Sequence, residues 1–413
     1  MPIDFARVPP LVVVPEPPRP STLLWAMLLI VVMCLGSALA IFLWPAGRPT
    51  NTAWFWLCVL GYPALVWFFL LCSYLGYSYA RRSGAMAHNV TSACEEEKCH
   101  RLASKPLVIL GHGWCYSAYD KENSVEHLIT GGVRMFPRPS RAVPGLDVNA
   151  RWLEIPGMTF HAGNELTEHA RHLAVCDWLV ERLVGCVSAG LAALPARTAL
   201  HVDLTLQSTL DLSHVHTRLQ ELLRAEAPTL RLTVNASNDP LSLFETDAWH
   251  DRLDPRDAQM LVAIGLRNAV SERLQDGVAE VGIALLLARP GVARSATTDV
   301  LHLYRPAIGP AGDVGKTLGL AARWGWAESK RLTTVWNSGL SEKLARVVRS
   351  SIPSGDQTQW IELDATVGNC AVAGGWLATA LAAEHATHTG EAQLVLTQEG
   401  DEMAALVCRK QHE

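Results

Sequence analysis

Two long stretches near the start of the chain carry no charge. No Asp, Glu, Lys or Arg lies between Arg19 and Arg48, and none between Arg48 and Arg81. Within these gaps, residues 21–44 and 53–77 are apolar on every side. As helices rising 1.5 Å per residue, both runs are long enough to cross a hydrocarbon core of ~30 Å. A soluble core helix of that length would show a polar face. Trp25, Trp44, Trp54, Trp56, Tyr74 and Tyr77 fall near the ends of the runs, where an aromatic belt would lie. The pattern predicts a transmembrane hairpin over 21–77 that contacts membrane lipid. A signal peptide cleaved after Ala38-Leu39-Ala40 is the competing reading. Ile41-Phe42-Leu43-Trp44 continue the apolar run and argue against it.

The flanks set an orientation. Arg7 and Arg19 precede the first run. Arg81 and Arg82 follow the second, with Lys98, Arg101 and Lys105 close behind, whereas the loop 45–52 holds only Arg48. The positive-inside rule predicts a multi-pass protein of the bacterial inner membrane with both termini cytoplasmic. Residues 1–20 are Pro-rich and read as an extended tail. Residues 78–104, with Glu95-Glu96-Glu97, read as a polar linker.

From residue 105 onward, strand-like and helix-like segments alternate. Strands are predicted at 107–110 (ending at Gly111), 148–155, 199–206, 230–234, 281–287, 300–304, 332–336 and 360–363. A closing hairpin is predicted over 393–397 and 403–408. Helices are predicted at 165–191, 213–225, 257–274, 341–350 and 371–385. Alternation of this kind implies an α/β domain over 105–413 with a mainly parallel sheet.

Composition changes this picture little. The apolar fraction of 49% and the 14 Trp are partly explained by the first 80 residues. Seven of the 10 Cys lie beyond the hairpin at irregular spacing, as in a reduced compartment. A net charge of −5 gives no reason to expect nucleic acid as a partner.

Candidate chemistry is sparse. Gly309-Pro310-Ala311-Gly312-Asp313-Val314-Gly315-Lys316-Thr317 approaches a phosphate loop, which would bind a nucleotide through Lys316 and Thr317. That motif needs Gly at 310, where Pro310 stands, so a Gly/Pro turn entering a helix over 318–323 is the alternative. Gly111-His112-Gly113-Trp114-Cys115 reads as a Gly-rich strand–helix turn with Cys115 as a possible nucleophile or a buried thiol. Cys94, Cys99 and His100 are spaced slightly wide for zinc, and no second pair follows. His169 with His172, and His385 with His388, share helix faces without a ligand pattern.

The order of elements resembles the thiolase/β-ketoacyl synthase fold in three places. Residues 107–113 and the helix after them resemble that family's opening strand and turn. Leu332-Thr333-Thr334-Val335-Trp336-Asn337-Ser338-Gly339 lies where its second half ends a strand in a His-Gly-Thr-Gly turn. Gly368-Asn369-Cys370-Ala371-Val372-Ala373-Gly374-Gly375 resembles its Gly-His turn and following helix. The resemblance implies two similar halves, about 105–290 and 298–413, packed in five αβαβα layers. It also implies a Cys thiolate and two His, which this chain lacks. No Cys occurs between Cys186 and Cys370, Trp336 stands at the first His position, and Asn369 at the second.

A vestigial cleft formed by Trp336, Asn337, Asn369, Cys370, His112 and Cys115 is therefore expected, with no cofactor. The layout of the chain and residues 364–407 also resemble bacterial accessory (adaptor) proteins of type VI secretion. That likeness implies a protein partner, namely a secreted lipase effector and a spike component. The enzymatic rival is acyl transfer or hydrolysis through Cys115 or Cys370.

Overall fold

A computed structural model describes residues 5–239, 241–292, 299–325, 332–352, 358–371 and 373–412. The chain divides into two compact units, Asp4–Cys99 and His100–Glu413.

In the first unit, α1 (Thr22–Phe42) and α2 (Ala53–Trp56) are capped by the Ser21 and Thr52 hydroxyls. A π-helical turn, Leu57–Gly61, links α2 to α3 (Tyr62–Ala103). Both helical stretches are long and apolar enough to cross a membrane. Pro63 brings no N–H to the carbonyl four residues before it, that of Val59. The Ser37 hydroxyl of α1 donates to Val59 O instead, at 2.8 Å. Gly36 lets the Pro63 ring approach, since a Cβ there would lie 2.4 Å from Pro63 Cγ. A buried carbonyl left without a donor costs about 1–3 kcal/mol, so this contact favours the pairing of the two helices.

The linker expected over 78–104 is helix. α3 runs 42 residues without a break, about 63 Å, twice the span of a bilayer core. No Pro falls between Pro63 and Pro106, and residues 78–104 hold five Ala, three Glu and three Arg. Polarity had suggested a loop, but these residues favour helix.

The second unit begins with β1 (Leu107–Cys115), α4 (Val125–Ile129), β2 (Arg138–Pro139), β3 (Asp147–Val148), α5 (Glu165–Ala193), β4 (Ala199–Gln207), α6 (Leu212–Glu226), β5 (Arg231–Ser237), α7 (Thr246–Arg252), β6 (Asp257–Gly265) and β7 (Val281–Ala288). It continues with β8 (Asp299–Leu303), β9 (Ala307–Pro310), α8 (Val314–Trp324), β10 (Thr334–Ser338), α9 (Glu342–Ser351), β11 (Gln359–Glu362), α10 (Leu363–Thr366), α11 (Ala373–Thr389), β12 (Gln393–Glu399) and β13 (Glu402–His412).

Among the described residues, eleven strands form one sheet in the order β11-β10-β12-β13-β8-β1-β7-β6-β4-β5, with β9 added against β13. The order is a duplication. Counting β1, β4, β5, β6 and β7 as strands one to five gives 3-2-4-5-1. Counting β8, β10, β11, β12 and β13 in the same way gives 3-2-4-5-1 again. The two halves also share pair directions: two parallel, then two antiparallel. They meet where β1 pairs with β8 over Leu107–Leu303 and Val108–His302. The sheet is thus mixed rather than mainly parallel, and the unit is built from two halves of like α/β topology.

α11 lies between the halves. Residues Gly374 to Ala383 are all buried, and its neighbours come from β1, β7, β10, β12 and β13. A helix apolar on every side belongs inside a core. Small residues let the sheet close on it: a Cβ at Gly374 would lie 2.1 Å from Ser338 Oγ.

Two predicted elements are corrected. The helix expected over 257–274 is strand β6, followed by irregular chain. Residues 258–265 are all buried, and a strand covered on both faces gives a continuous apolar run that mimics a helix. The strand expected over 148–155 shrinks to β3 and a single bridge at Arg151.

That irregular chain is held by a buried charge cluster on α5. Arg171 Nε donates to Glu168 Oε1 at 2.7 Å. Its Nη1 donates to Glu280 Oε2 at 3.1 Å and Leu153 O at 3.2 Å, and its Nη2 to Glu280 Oε1 and Arg267 O. Glu280 also accepts from the Leu153 and Arg267 backbone N–H groups, both at 2.7 Å. Glu168 accepts from Val270 N at 2.8 Å and Ser271 N at 2.9 Å. His172 Nδ1 accepts from Thr209 N at 3.2 Å, so Nε2 carries the proton and donates to Arg267 O at 3.0 Å. Burial alone would push the Glu168 carboxyl up, but hydrogen bonds from His172 and Arg171 outweigh it and hold the carboxyl well below the usual range. A depressed carboxylate stabilises the fold above its ordinary pKa, and the benefit fades as pH falls through the lowered value.

The Gly-rich turn expected after residue 110 does not exist either. β1 continues through Gly111 and Gly113 with a bulge between Ile109 and Gly111. The glycines serve helix-on-sheet contact. A Cβ at Gly113 would lie 2.4 Å from Cys186 Cβ on α5, and one at Gly190 of α5 would lie 2.4 Å from Leu110 O. Gly113→Ala should therefore cost about 1–3 kcal/mol by overpacking. Gly185→Ala, on the same helix but facing open space, should gain about 0.5–1 kcal/mol. Urea midpoints of the full chain in detergent check both signs, and equal midpoints would contradict the contact.

Candidate functional site

The parallel strands of the two halves point their C-terminal ends at the start of α11, where a crevice would be expected in an open sheet. Leu241 and Trp376 fill it. Trp376 Nε1 donates to Leu241 O at 2.7 Å, and its ring stacks on Trp249 with centroids 5.2 Å apart. The remaining cavity, lined by Thr205, Gln207, Leu241, Ala263, Ala373 and Trp376, holds about 10 Å³. That is room for one water at most.

The turn into α11 is tightly tied. Gly368 has φ +117° and Ala371 φ +52°. Ala371 carries a side chain in the left-handed region, which costs of order 1 kcal/mol and needs support from its surroundings. Support comes from Asn369. Its Oδ1 accepts from Ala371 N at 2.7 Å, its backbone N donates to Gly277 O at 2.6 Å, and its O accepts from Ala279 N at 3.0 Å. Arg151, itself buried, donates to Val367 O at 3.2 Å and to Glu122 at 2.7 Å. Across from them, Asp364 accepts from Gly339 N at 2.8 Å and Ser338 Oγ at 3.3 Å. Burial raises the Asp364 carboxyl above its ordinary pKa, against these hydrogen bonds.

The residues expected to form one cleft are spread over the unit. Asn369 and Cys370 stand at the entry to α11. Trp336 and His112 meet its C-terminal half at His385 and Glu384, about 18 Å along the helix. There Trp336 Nε1 donates to Gln393 Oε1 at 3.1 Å with His385 against its ring, and His112 lies 2.8 Å from Glu384. Asn337 alternates to the opposite face of β10. Cys115 belongs to the outer layer of the first half, with Sγ on Ser117 O at 3.3 Å.

Lys316 and Thr317 lie on α8 in the outer layer of the second half. The 309–317 run makes no phosphate cradle, because Gly309 and Pro310 are strand residues paired with Met403 and Glu402. The Thr317 hydroxyl is turned to Asp313 O at 3.4 Å, while Lys316 is exposed. His100 Nδ1 accepts from Trp324 Nε1 at 3.0 Å. No group of three or more metal-ligating side chains converges among the described residues. Leu241, Ser338, Asp364 and Trp376 escaped the sequence reading. A lone Trp in an Ala- and Gly-rich helix was the available signal, since only a residue meeting a gap would need that bulk there.

Neither candidate thiol is activated. Burial raises Cys370 to about 12 and Cys115 to about 11. A nucleophilic Cys needs the opposite, a stabilised thiolate beside a cation or a helix start.

No family model matches the chain, and no curated protein matches it. Solved structures similar to it include cerulenin-bound OleA of Xanthomonas campestris, with 10% identity and a TM-score of 0.44 over 74% of this chain and 98% of that one. They also include the ketosynthase domain OzmH KS7 from the oxazolomycin system of Streptomyces albus, with 13% identity and a TM-score of 0.49 over 74% of this chain and 76% of that one.

The buried thiols make a kinetic prediction. At pH 8, iodoacetamide should label Cys370 on the order of a thousandfold more slowly than the urea-unfolded chain, because so little thiolate is present. Exposed Cys186 should label early. Rapid labelling of Cys370 in the folded protein would contradict the assignment.

Proposed function

We propose that this chain is a non-catalytic adaptor held in a bacterial inner membrane, and that its His100–Glu413 unit is a scaffold for binding another protein. The observation that carries this reading is the filled crevice. Leu241 and Trp376 leave about 10 Å³ at the strand ends, so no acyl group fits there. The raised thiols at positions 115 and 370 support it, since neither supplies a nucleophile.

The apolar helices α1 and α3, with Arg7, Arg19, Arg81 and Arg82 flanking them, support an anchor with both termini cytoplasmic. The partner is a secreted lipase effector, handed on to a spike component of a type VI secretion system. The layout of the chain and residues 364–407 carry that part of the proposal.

Purification of the full chain from detergent-solubilised membranes of its own host tests the reading. Stoichiometric recovery of a lipase-type effector, retained in a Cys115→Ser/Cys370→Ser variant, is the expected result. Acyl-thioester turnover by the purified chain, lost in that variant, would overturn it.

A further inference from the structure

The Pro-rich tail has no part in the scaffold reading, yet it is well placed. Residues 9–20 run extended, and their backbone is bound by side chains of α3. Asn89 grips Val12 twice: Oδ1 accepts from Val12 N, and Nδ2 donates to Val12 O, both at 2.8 Å. Arg82 donates to Pro15 O at 3.3 Å, His88 Nε2 to Pro10 O at 3.0 Å, and Ser92 to Pro9 O.

The contacts at Pro9, Val12 and Pro15 are spaced by three, the period of a polyproline II helix, and Pro10 adds a further one outside that spacing. Pro9, Val12 and Pro15 are bound to α3 through their backbone; Pro9, Val14, Pro15 and Pro18 are half-buried, while the Val12 side chain is 45% exposed. The outer edge is left to solvent. Leu11 is 75% exposed and Val13 90% exposed, and Glu16, Pro17, Arg19 and Pro20 are exposed as well. Pro17 and Pro20, three apart, lie on one line of that edge with Arg19 between them.

We infer that this strap is a docking motif: its outer edge from Leu11 to Pro20 is read by a partner protein with an aromatic-lined groove and an acidic rim. Three features lead there. Pro-rich extended chains are recognised in aromatic grooves, through prolines spaced three apart. Arg19 calls for a carboxylate beside that groove. The strap is already ordered on α3, so docking loses little further conformational freedom. Ser21 caps α1, so the partner would meet the strap at the membrane surface. The inference stands on the Asp4–Cys99 unit alone and does not depend on the scaffold reading.

The test uses the full chain in the cells that make it, with a photo-crosslinking residue at Val13. One discrete adduct is expected, and mass spectrometry should place the partner's crosslinked residue in a groove lined by aromatic side chains. Pro17→Ala/Pro20→Ala should abolish the adduct, while Pro15→Ala, on the inner edge, should keep it. Three outcomes overturn the proposal: no protein adduct, an adduct only to lipid or to a second copy of this chain, or equal loss in both variants.

Discussion

Arg171 has five N–H donors, and all five are used inside the protein: two carboxylates and two backbone carbonyls surround it with no exposure to solvent. A buried guanidinium costs several kcal/mol to desolvate, and only complete satisfaction offsets that. The partners come from chain around 153, 168, 267 and 280, much of which has no regular structure of its own. The cluster therefore sets the path of the segment between β6 and β7. That path carries Gly277 and Ala279 to Asn369, where Asn369 N donates to Gly277 O and Ala279 N to Asn369 O. The turn into α11, including Ala371 in its left-handed conformation, leans on a loop that Arg171 holds in place. From this one buried charge the dependence runs to the junction of the two halves.

The junction is closed by packing. α11 is apolar all round and carries small residues where the strands approach, so the helix and both half-sheets share one core. Trp376 is the exception in size, and it occupies the place where the strands end. A fold that brings loops together at such a point usually leaves room for a ligand. In this chain the same elements bring an indole and a leucine, which leave room for one water at most.

Much of this was legible in the sequence. The two apolar runs, the helices over 165–191 and 213–225, and the closing hairpin all appear near the expected places, because each has a clear period or a continuous apolar stretch. β6 was misread because burial on both faces erases the period of two. Gly111 and Gly113 suggested a turn, but what they answer is the close approach of α5, a contact 73 residues away in the case of Cys186. The candidate site was less legible. Trp336, Asn369 and His112 were grouped by likeness to a turn pattern, while their separation along α11 depends on helix length and strand register. Arg171 and Glu280 were invisible as a pair, since charges 109 positions apart carry no local signal.

The central proposal is that the His100–Glu413 unit has no acyl-accepting centre. Peptide-resolved mass spectrometry of the full chain after incubation with a reactive acyl-thioester probe tests it most directly. Acylation of exposed thiols such as Cys186 but not of Cys115 or Cys370 in the folded protein, with those two acylated only after unfolding in urea, is the predicted result. A stoichiometric acyl adduct on either thiol in the folded protein would contradict the account.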